Sequence, residues 1–499
     1  MLETAVASLR FGLSMVFGTP FHRRSLDQIL VAMRATYQEL GPIGGDGEDL
    51  LGGPRLDDDT RRIVQGRRFR SQAMRAARET LYYADVFGGA GIDAKRLHYD
   101  DIASVPITTK EALRDDPEGF VRSVAVPHHR STTTGTTGWP TTVWFSDDEY
   151  HLIGALSAIA FLGREIITPD DFVQIAISTR ARLGVHGVAF SAAAIGAALH
   201  AAGLVGPEHT LALLTERHRL PRWKPRVSVM STYPSYLGEL VETGRRRGLR
   251  VGDFGLERVL LGGEILTAGL RRRVQEFFGP IELIQNYGMT ELLPFGASVC
   301  NEEHLHFEPA VGIAEMLTLN GSGAPARPGE PAVIVATPLP PFRETTILLR
   351  YNTEDVVRTF DRPLTCDMRR IPASSNLLGK LKLAVEHDSG WVFVRDVLEA
   401  LESVDAVILP TRYGFWAVPG GVAVEVVARR QDTATREAIG TALQERGVPL
   451  RQLHVVGDRS ELTRPLPLRC DLKEGSTAKL HDKPAPPTPA MLSTANRRH

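Results

Sequence analysis

Between Asp148 and Phe278 short apolar runs alternate with stretches of helical periodicity, and this alternation limits the chain to few architectures. Asp148 to Gly163 predicts a helix, Phe172 to Ser178 a strand, and His186 to Leu204 an Ala-rich, largely buried helix. Arg226 to Ser231 then reads as a strand, Ser235 to Arg247 as a helix, Arg258 to Leu261 as a strand and Thr267 to Phe278 as a helix. Strands joined by helical returns pair in parallel and are covered on both faces. The expected fold class is α/β, with mostly parallel sheets covered by helices. In such sheets ligands collect outside the carboxyl ends of the strands.

Two motifs fall at those ends. Leu261-Gly262-Gly263-Glu264 follows a strand directly, and its paired glycines suit either a close approach to a flat ligand or a plain strand-to-helix turn. Gln285-Asn286-Tyr287-Gly288-Met289-Thr290-Glu291 follows the apolar run Ile281 to Ile284. It offers an aromatic face, a permissive glycine, a hydroxyl and a carboxylate, a set able to stack a purine, reach a phosphate and hold a magnesium ion. A third stretch lies upstream. Ser131 to Pro140 is rich in hydroxyls and holds Thr133, Thr134, Gly135, Thr136, Thr137 and Gly138, side chains and backbone N–H groups that can wrap phosphate oxygens. It is not a Walker-type loop, because Trp139 and Pro140 stand where Lys and Ser/Thr are needed. A dinucleotide fingerprint fails on its glycine spacing.

Composition narrows the partners. The 499 residues are too many for one compact core and fit two or three domains. A net charge of −1 with 43% hydrophobic residues builds no field that gathers nucleic acid or an anionic membrane surface, and no apolar run is long enough to span a bilayer. The scattered cysteines Cys300, Cys366 and Cys470, odd in number, argue for a reducing, cytoplasmic setting without disulfides. Cys300-Asn301-Glu302-Glu303-His304-Leu305-His306 carries zinc-binding residue types, with Cys366 as a conceivable fourth ligand. It lacks paired C-x-x-C spacing, and the expectation is a plain loop with no structural metal.

Thr133 to Pro140 resembles the phosphate-binding signature of the adenylate-forming (acyl-activating) ligases, although the position of Trp139 is usually Lys in that family. The run Tyr287 to Glu291 resembles the same family's adenine and metal motif, in the expected order and about 150 residues downstream. Val105-Pro106-Ile107-Thr108-Thr109-Lys110 is similar to a segment found ahead of the phosphate loop in the phenylacetate-CoA-ligase-like branch, although Lys110 reads as well as a solvated first-turn residue. The resemblance implies Tyr287 against adenine, with Asn286, Gly288, Met289, Gly263 and Glu264 around the nucleotide. It implies Thr290 near the α-phosphate, Glu291 on Mg2+, and Asp355, in Tyr351-Asn352-Thr353-Glu354-Asp355, on the ribose hydroxyls. A structural Asp at a strand end is the competing reading for Asp355. The acid pocket is expected near His186 and Gly187, with Gly262 on the opposite wall, and a satisfied core histidine is an equal reading for His186.

Past Leu378 the pattern changes. Val392 to Leu401, Gly420 to Ala428 and Thr433 to Arg446 suggest a small α+β domain. The resemblance makes it a lid and makes Gly379-Lys380-Leu381-Lys382 the hinge, with Lys380 at the nucleotide; a simple linker is the alternative. The expected division is a core over 1–378, a hinge at 379–382, a lid over 383–480 and a disordered tail over 481–499. The family's C-terminal Gly-Lys is absent. Of the eight lysines, Lys473 is the remaining candidate for a catalytic lysine beside a plausible strand, although a salt-bridged surface role fits it as well.

The resemblance thus implies ATP-dependent activation of a carboxylic acid, aryl or another small organic acid, as an acyl-adenylate with release of pyrophosphate. Coenzyme A is the expected acceptor. An amine acceptor and a nucleotide-binding protein without catalysis are the alternatives, and the oligomeric state stays open.

Overall fold

The computed structural model describes residues 2–42, 57–133, 140–388 and 390–473. Its centre is an eight-stranded sheet in the order Ala373–Ser374, Leu305–Phe307, Gly296–Val299, Glu282–Gly288, Arg258–Leu261, Val229–Thr232, Phe172–Ile175 and Ala198–Ala201. From Ala198–Ala201 to Glu282–Gly288 every pairing is parallel, and from Glu282–Gly288 outward every pairing is antiparallel. The expected parallel sheet is therefore half of a mixed one. Val229–Thr232 is buried along its whole length, as a strand covered on both faces requires. Helices Pro234–Arg246 and Ala268–Phe278 supply part of that cover through Tyr236, Leu237, Leu240, Leu270 and Val274.

Local chemistry sets most boundaries. The helix Asp58–Glu79 starts where the Asp57 carboxylate accepts from Thr60 N, and Asp147–Gly163 starts at a reciprocal Ser146/Glu149 capping box. One expected element is overturned. The helix predicted over His186 to Leu204 runs instead from Arg182 to Ile195, stops at left-handed Gly196, and is followed by the strand Ala198–Ala201. A second correction concerns Gln285 to Gly288, which continue the strand Glu282–Gly288 rather than follow it.

A second, antiparallel sheet holds Gly312–Leu317, Pro331–Pro338, Tyr351–Arg358 and Gly379–Lys380 in that order. The hairpin His129–Thr132 with Thr142–Phe145, which frames the hydroxyl-rich loop, is tied to this region: Thr346 Oγ1 accepts from Trp144 N at 2.9 Å, and Thr345 Oγ1 accepts from Ser146 N at 3.0 Å.

Beyond Gly379, Tyr413–Val418, Gly421–Val427 and Leu450–Val456 form a three-stranded sheet packed with helices Val394–Ser403 and Thr433–Glu445 around their own apolar core. This small α+β unit docks on the first turn of helix Ala268–Phe278, where Glu399 accepts from Ala268 N at 3.1 Å and Glu402 accepts from Thr267 Oγ1. Carboxylates suit a helix N-terminus, whose N–H groups carry partial positive charge. A side chain at Gly269 would strike the Glu402 carbonyl, so the two helices touch backbone to backbone. The predicted tail over 481–499 lies outside the described residues, and among the described residues no helix is long and apolar enough to cross a membrane.

Candidate functional site

A cavity of about 1260 Å³ opens at the carboxyl ends of the parallel strands. Its polar wall gathers Lys110, Thr133, Gly262, Gly263, Glu264 and Asn286 to Glu291, together with Asp355, Lys380 and Lys382. Residues far apart in the chain meet there because the sheet places their strand ends side by side: Leu261 pairs with Gln285, and Thr232 with Leu261.

Glu291 sits deepest, 1% exposed. Its Oε1 accepts from the Tyr351 hydroxyl at 3.2 Å and faces Lys110 Nζ at 3.4 Å. Its Oε2 is buried with no hydrogen-bond partner among the described residues. Such an oxygen is costly to bury unless something else pairs with it. Magnesium takes oxygen ligands and uses few protein carboxylates, so this donor set fits that ion.

Tyr287 and Asp355 form a second focus. The Tyr287 hydroxyl donates to Asp355 Oδ2 at 3.0 Å, and burial, reinforced by that carboxylate, holds the phenol well above its ordinary pKa. Lys380 Nζ reaches Asp355 Oδ1 at 2.9 Å and donates to the Thr353 carbonyl at 2.9 Å. Lys382 also lines the cavity, and burial pushes its ammonium below the usual lysine range, aided by the charges of Lys110 and Lys380.

The glycine pair behaves in two ways. Gly263 has φ +78°, and a side chain on it would meet the Arg469 guanidinium at 2.6 Å, so the group that approaches it closely is a residue of the C-terminal unit. Arg469 Nε donates to the Gly263 carbonyl at 2.7 Å, while Glu264 Oε1 accepts from Arg469 N at 2.6 Å and Oε2 from Ser235 N at 2.9 Å. Glu264 thus lines the cavity while stitching its wall together. The apolar side of the cavity is built by Ile153, Leu156, Ile177, Leu183, Gly187 and Val188.

Other expected residues fall elsewhere. His186 does not line the cavity. Its Nε2 bonds the Tyr150 carbonyl at 2.8 Å and its ring stacks on Tyr150 with centroids 3.7 Å apart, the satisfied core histidine that the sequence left open. Burial lowers its pKa. Lys473 is likewise outside the cavity wall, with Nζ 2.6 Å from Glu239 Oε1. Thr134, Gly135, Thr136, Thr137 and Gly138 lie outside the described residues; Thr133, at the edge of that loop, does line the cavity, and its Oγ1 accepts from Thr141 N at 2.9 Å.

Sequence reasoning undervalued two residues. Lys110, read as equally a solvated side chain, is largely buried beside Glu291; its only early signal was its place in a segment similar to one branch of the ligases. Arg469 left no sequence signal, since its position depends on how the C-terminal unit docks.

Comparison with known proteins agrees with this geometry. The family described as AMP-binding enzyme matches residues 132–336. The phenylacetate-coenzyme A ligase of Thermus thermophilus is 27% identical over 402 residues, covering 77% of this chain and 82% of that protein. The phenylacetate-coenzyme A ligase of Pseudomonas putida is 26% identical over 275 residues, covering 52% of this chain and 57% of that protein. Among solved structures, 2-hydroxyisobutyryl-CoA ligase in its postadenylation state superposes with a TM-score of 0.68 at 16% identity, over 82% of this chain and 88% of the other. Residues 132–336 thus match the AMP-binding enzyme family, and the chain is similar in sequence to phenylacetate-coenzyme A ligases and in fold to 2-hydroxyisobutyryl-CoA ligase.

Proposed function

We propose that this protein joins a carboxylic acid to AMP at the expense of ATP and then passes the acyl group to coenzyme A. The observation that carries the reading is the meeting of Thr133, Glu291 with Lys110, and Tyr287 with Asp355 on one cavity. Hydroxyls and a lysine answer the phosphates, a buried tyrosine ring answers the base, and a carboxylate answers the vicinal ribose hydroxyls, whose O–H groups it can accept. The acid carboxylate displaces pyrophosphate from the α-phosphorus, and the thiol of coenzyme A then displaces AMP from the acyl carbon.

Such chemistry needs alignment and charge neutralisation more than proton transfer. Glu291 would hold Mg2+ through its unpartnered Oε2, and the ion would neutralise charge on the phosphate oxygens. Lys110 and the Tyr351 hydroxyl both hold the other oxygen of Glu291, Oε1. The aliphatic side of the cavity accommodates the hydrocarbon part of an aryl or other small organic acid and keeps water from the mixed anhydride.

We also propose that Gly379 to Lys382 is a hinge. Gly379 has φ +131° and lies against Val394, where a side chain would clash at 2.8 Å, so the junction between core and C-terminal unit is built around glycine.

The test is exchange of labelled pyrophosphate into ATP, screened over aryl and alkyl acids. Exchange with at least one acid is expected. Adding coenzyme A should then release AMP and give an acyl thioester by mass spectrometry; thioester formation absent while amines yield amides would assign a different acceptor. No exchange with any acid would leave a nucleotide-binding protein without this catalysis.

A further inference from the structure

Beside the proposed nucleotide site, on whose cavity wall His306 lies, Cys300, His304, His306 and Cys366 converge. One potential ligand atom from each lies within 4.8 Å of all the others. Cys300 and His304 bracket the turn between strands Gly296–Val299 and Leu305–Phe307, His306 lies in the second strand, and Cys366 arrives from the segment ahead of Ala373–Ser374. These are two cysteines and two histidines, the mixed set that tetrahedral zinc takes in closed structural sites.

We propose that these four residues bind one Zn2+ as a structural site. A tetrahedron with metal–sulfur bonds of about 2.3 Å and metal–nitrogen bonds of about 2.0 Å has edges of roughly 3.3–3.8 Å. Cys366 Sγ and His306 Nε2 are already 3.4 Å apart, and the remaining edges need contract by no more than about 1.5 Å from the observed limit.

Three features around the cluster suit a metal better than a plain loop. His306 Nδ1 bonds the Ile371 carbonyl at 3.2 Å, which makes Nδ1 the protonated nitrogen and turns the Nε2 lone pair toward Cys366. Metal-bound histidines are held in this way by a carbonyl on their far nitrogen. Cys300 Sγ accepts from the backbone N of His304 at 3.4 Å, a bond that orients the sulfur within the cluster. Finally, His304 Nδ1 is buried with no hydrogen-bond partner among the described residues. The turn that presents Cys300 and His304 is closed by paired backbone bonds and carries Glu303 at φ +61°, an unusual backbone state for a non-glycine residue.

The bond formation is simple: each cysteine loses a proton to solvent, each histidine gives a neutral nitrogen lone pair, and all four ligand positions are filled by protein. No position is left open for substrate, so the ion has a structural task. Its place gives it one. It pins the segment carrying Met368 and Ile371, both on the cavity wall, to a hairpin whose first strand pairs with Tyr287 through Ala297.

The test is metal analysis of the full chain expressed with zinc in the medium and dialysed without chelator. About one zinc per chain is expected, with loss of most of it in the double variant Cys300→Ser, Cys366→Ser. Zinc removal should lower the melting temperature by several degrees, and re-addition should restore it. Where the variant does not fold, the unaltered protein still decides. Stripped and reloaded with Co2+, it should show visible d–d bands of tetrahedral strength and thiolate charge transfer in the near ultraviolet. Alkylation read by peptide mass spectrometry should find Cys300 and Cys366 protected until a chelator is added. Substoichiometric metal with unprotected thiols, a Cys300–Cys366 disulfide in the freshly isolated protein, or full zinc retention by a folded double variant would each overturn the proposal.

Discussion

Tyr287 and Asp355, 68 residues apart in the chain, share a 3.0 Å hydrogen bond in which the phenol donates to the carboxylate. The other carboxylate oxygen holds Lys380 at 2.9 Å, so Asp355 joins the tyrosine of one sheet to the junction that leads into the C-terminal unit. A ribose that engages Asp355 must share it with both.

Replacing Asp355 with Ala should therefore weaken ATP use more than it slows chemistry. A charge-assisted hydrogen bond contributes about 1.5–3 kcal/mol, which corresponds to a rise in KM for ATP on the order of tenfold to a hundredfold. Steady-state exchange kinetics at varied ATP would check this; an unchanged KM would remove Asp355 from the nucleotide.

Glu291→Gln should cut pyrophosphate exchange by on the order of a hundredfold, the scale on which removal of a positioned electrostatic group slows a reaction. Circular dichroism should show the fold intact, because Gln keeps an oxygen for Tyr351. Lys110→Ala should also slow exchange, and the double variant should lose less than the two single losses combined, because the residues touch. Fully additive losses would mean that Lys110 and Glu291 act independently.

Lys473 leads to a different expectation. With Nζ on Glu239 and no place on the cavity wall, Lys473→Ala should leave the exchange rate within about twofold and cost about 0.2–1 kcal/mol, the range of partly exposed ion pairs. A large fall in exchange with normal stability would show that the lysine leaves Glu239 during turnover.

Glu402 makes stability depend on pH. Burial raises its carboxyl to about 7, and its partners are Thr267, on the core, and Thr411, at 3.0 Å. Between the unfolded value near 4.5 and the folded value near 7, the folded chain binds the extra proton, so stability falls as pH rises through this window and levels off above it. The full difference is about 3 kcal/mol. Glu402→Gln, which keeps the hydrogen-bonding shape without the charge, should flatten that slope and raise the melting temperature at pH 8. Thermal melts from pH 5 to 8 are the measurement, and an equal slope in both proteins would refute the assignment.

How far the sequence reveals this architecture varies by element. Arg258–Leu261 is predicted with its observed limits because the apolar run Val259-Leu260-Leu261, held between charged residues and a glycine pair, leaves little choice. Thr267 is expected as the first helical residue and is the N-cap instead, a shift of one position. Gln285 to Gly288 look like a loop, because polar residues and a glycine hide a strand that is held by neighbours on both sides, Leu261 with Gln285 and Ser298 with Asn286. Alanine-rich composition conceals the break at Gly196, where helix gives way to the edge strand Ala198–Ala201. Local motifs identified Tyr287, Glu291 and Asp355 as candidates, whereas the partners that position them, Lys110 and Tyr351, are fixed by tertiary packing and leave little local pattern.

The crossing of Arg469 over Gly263 ties together two events that could have been separate. Any occupant that gains from that guanidinium strengthens the seating of the C-terminal unit by the same factor by which seating strengthens its own hold. Under the hinge proposed at Gly379 to Lys382, filling the cavity and closing it would become one equilibrium, and a molecule too short to reach the Gly263 end would bind without drawing the far end of the chain down upon itself.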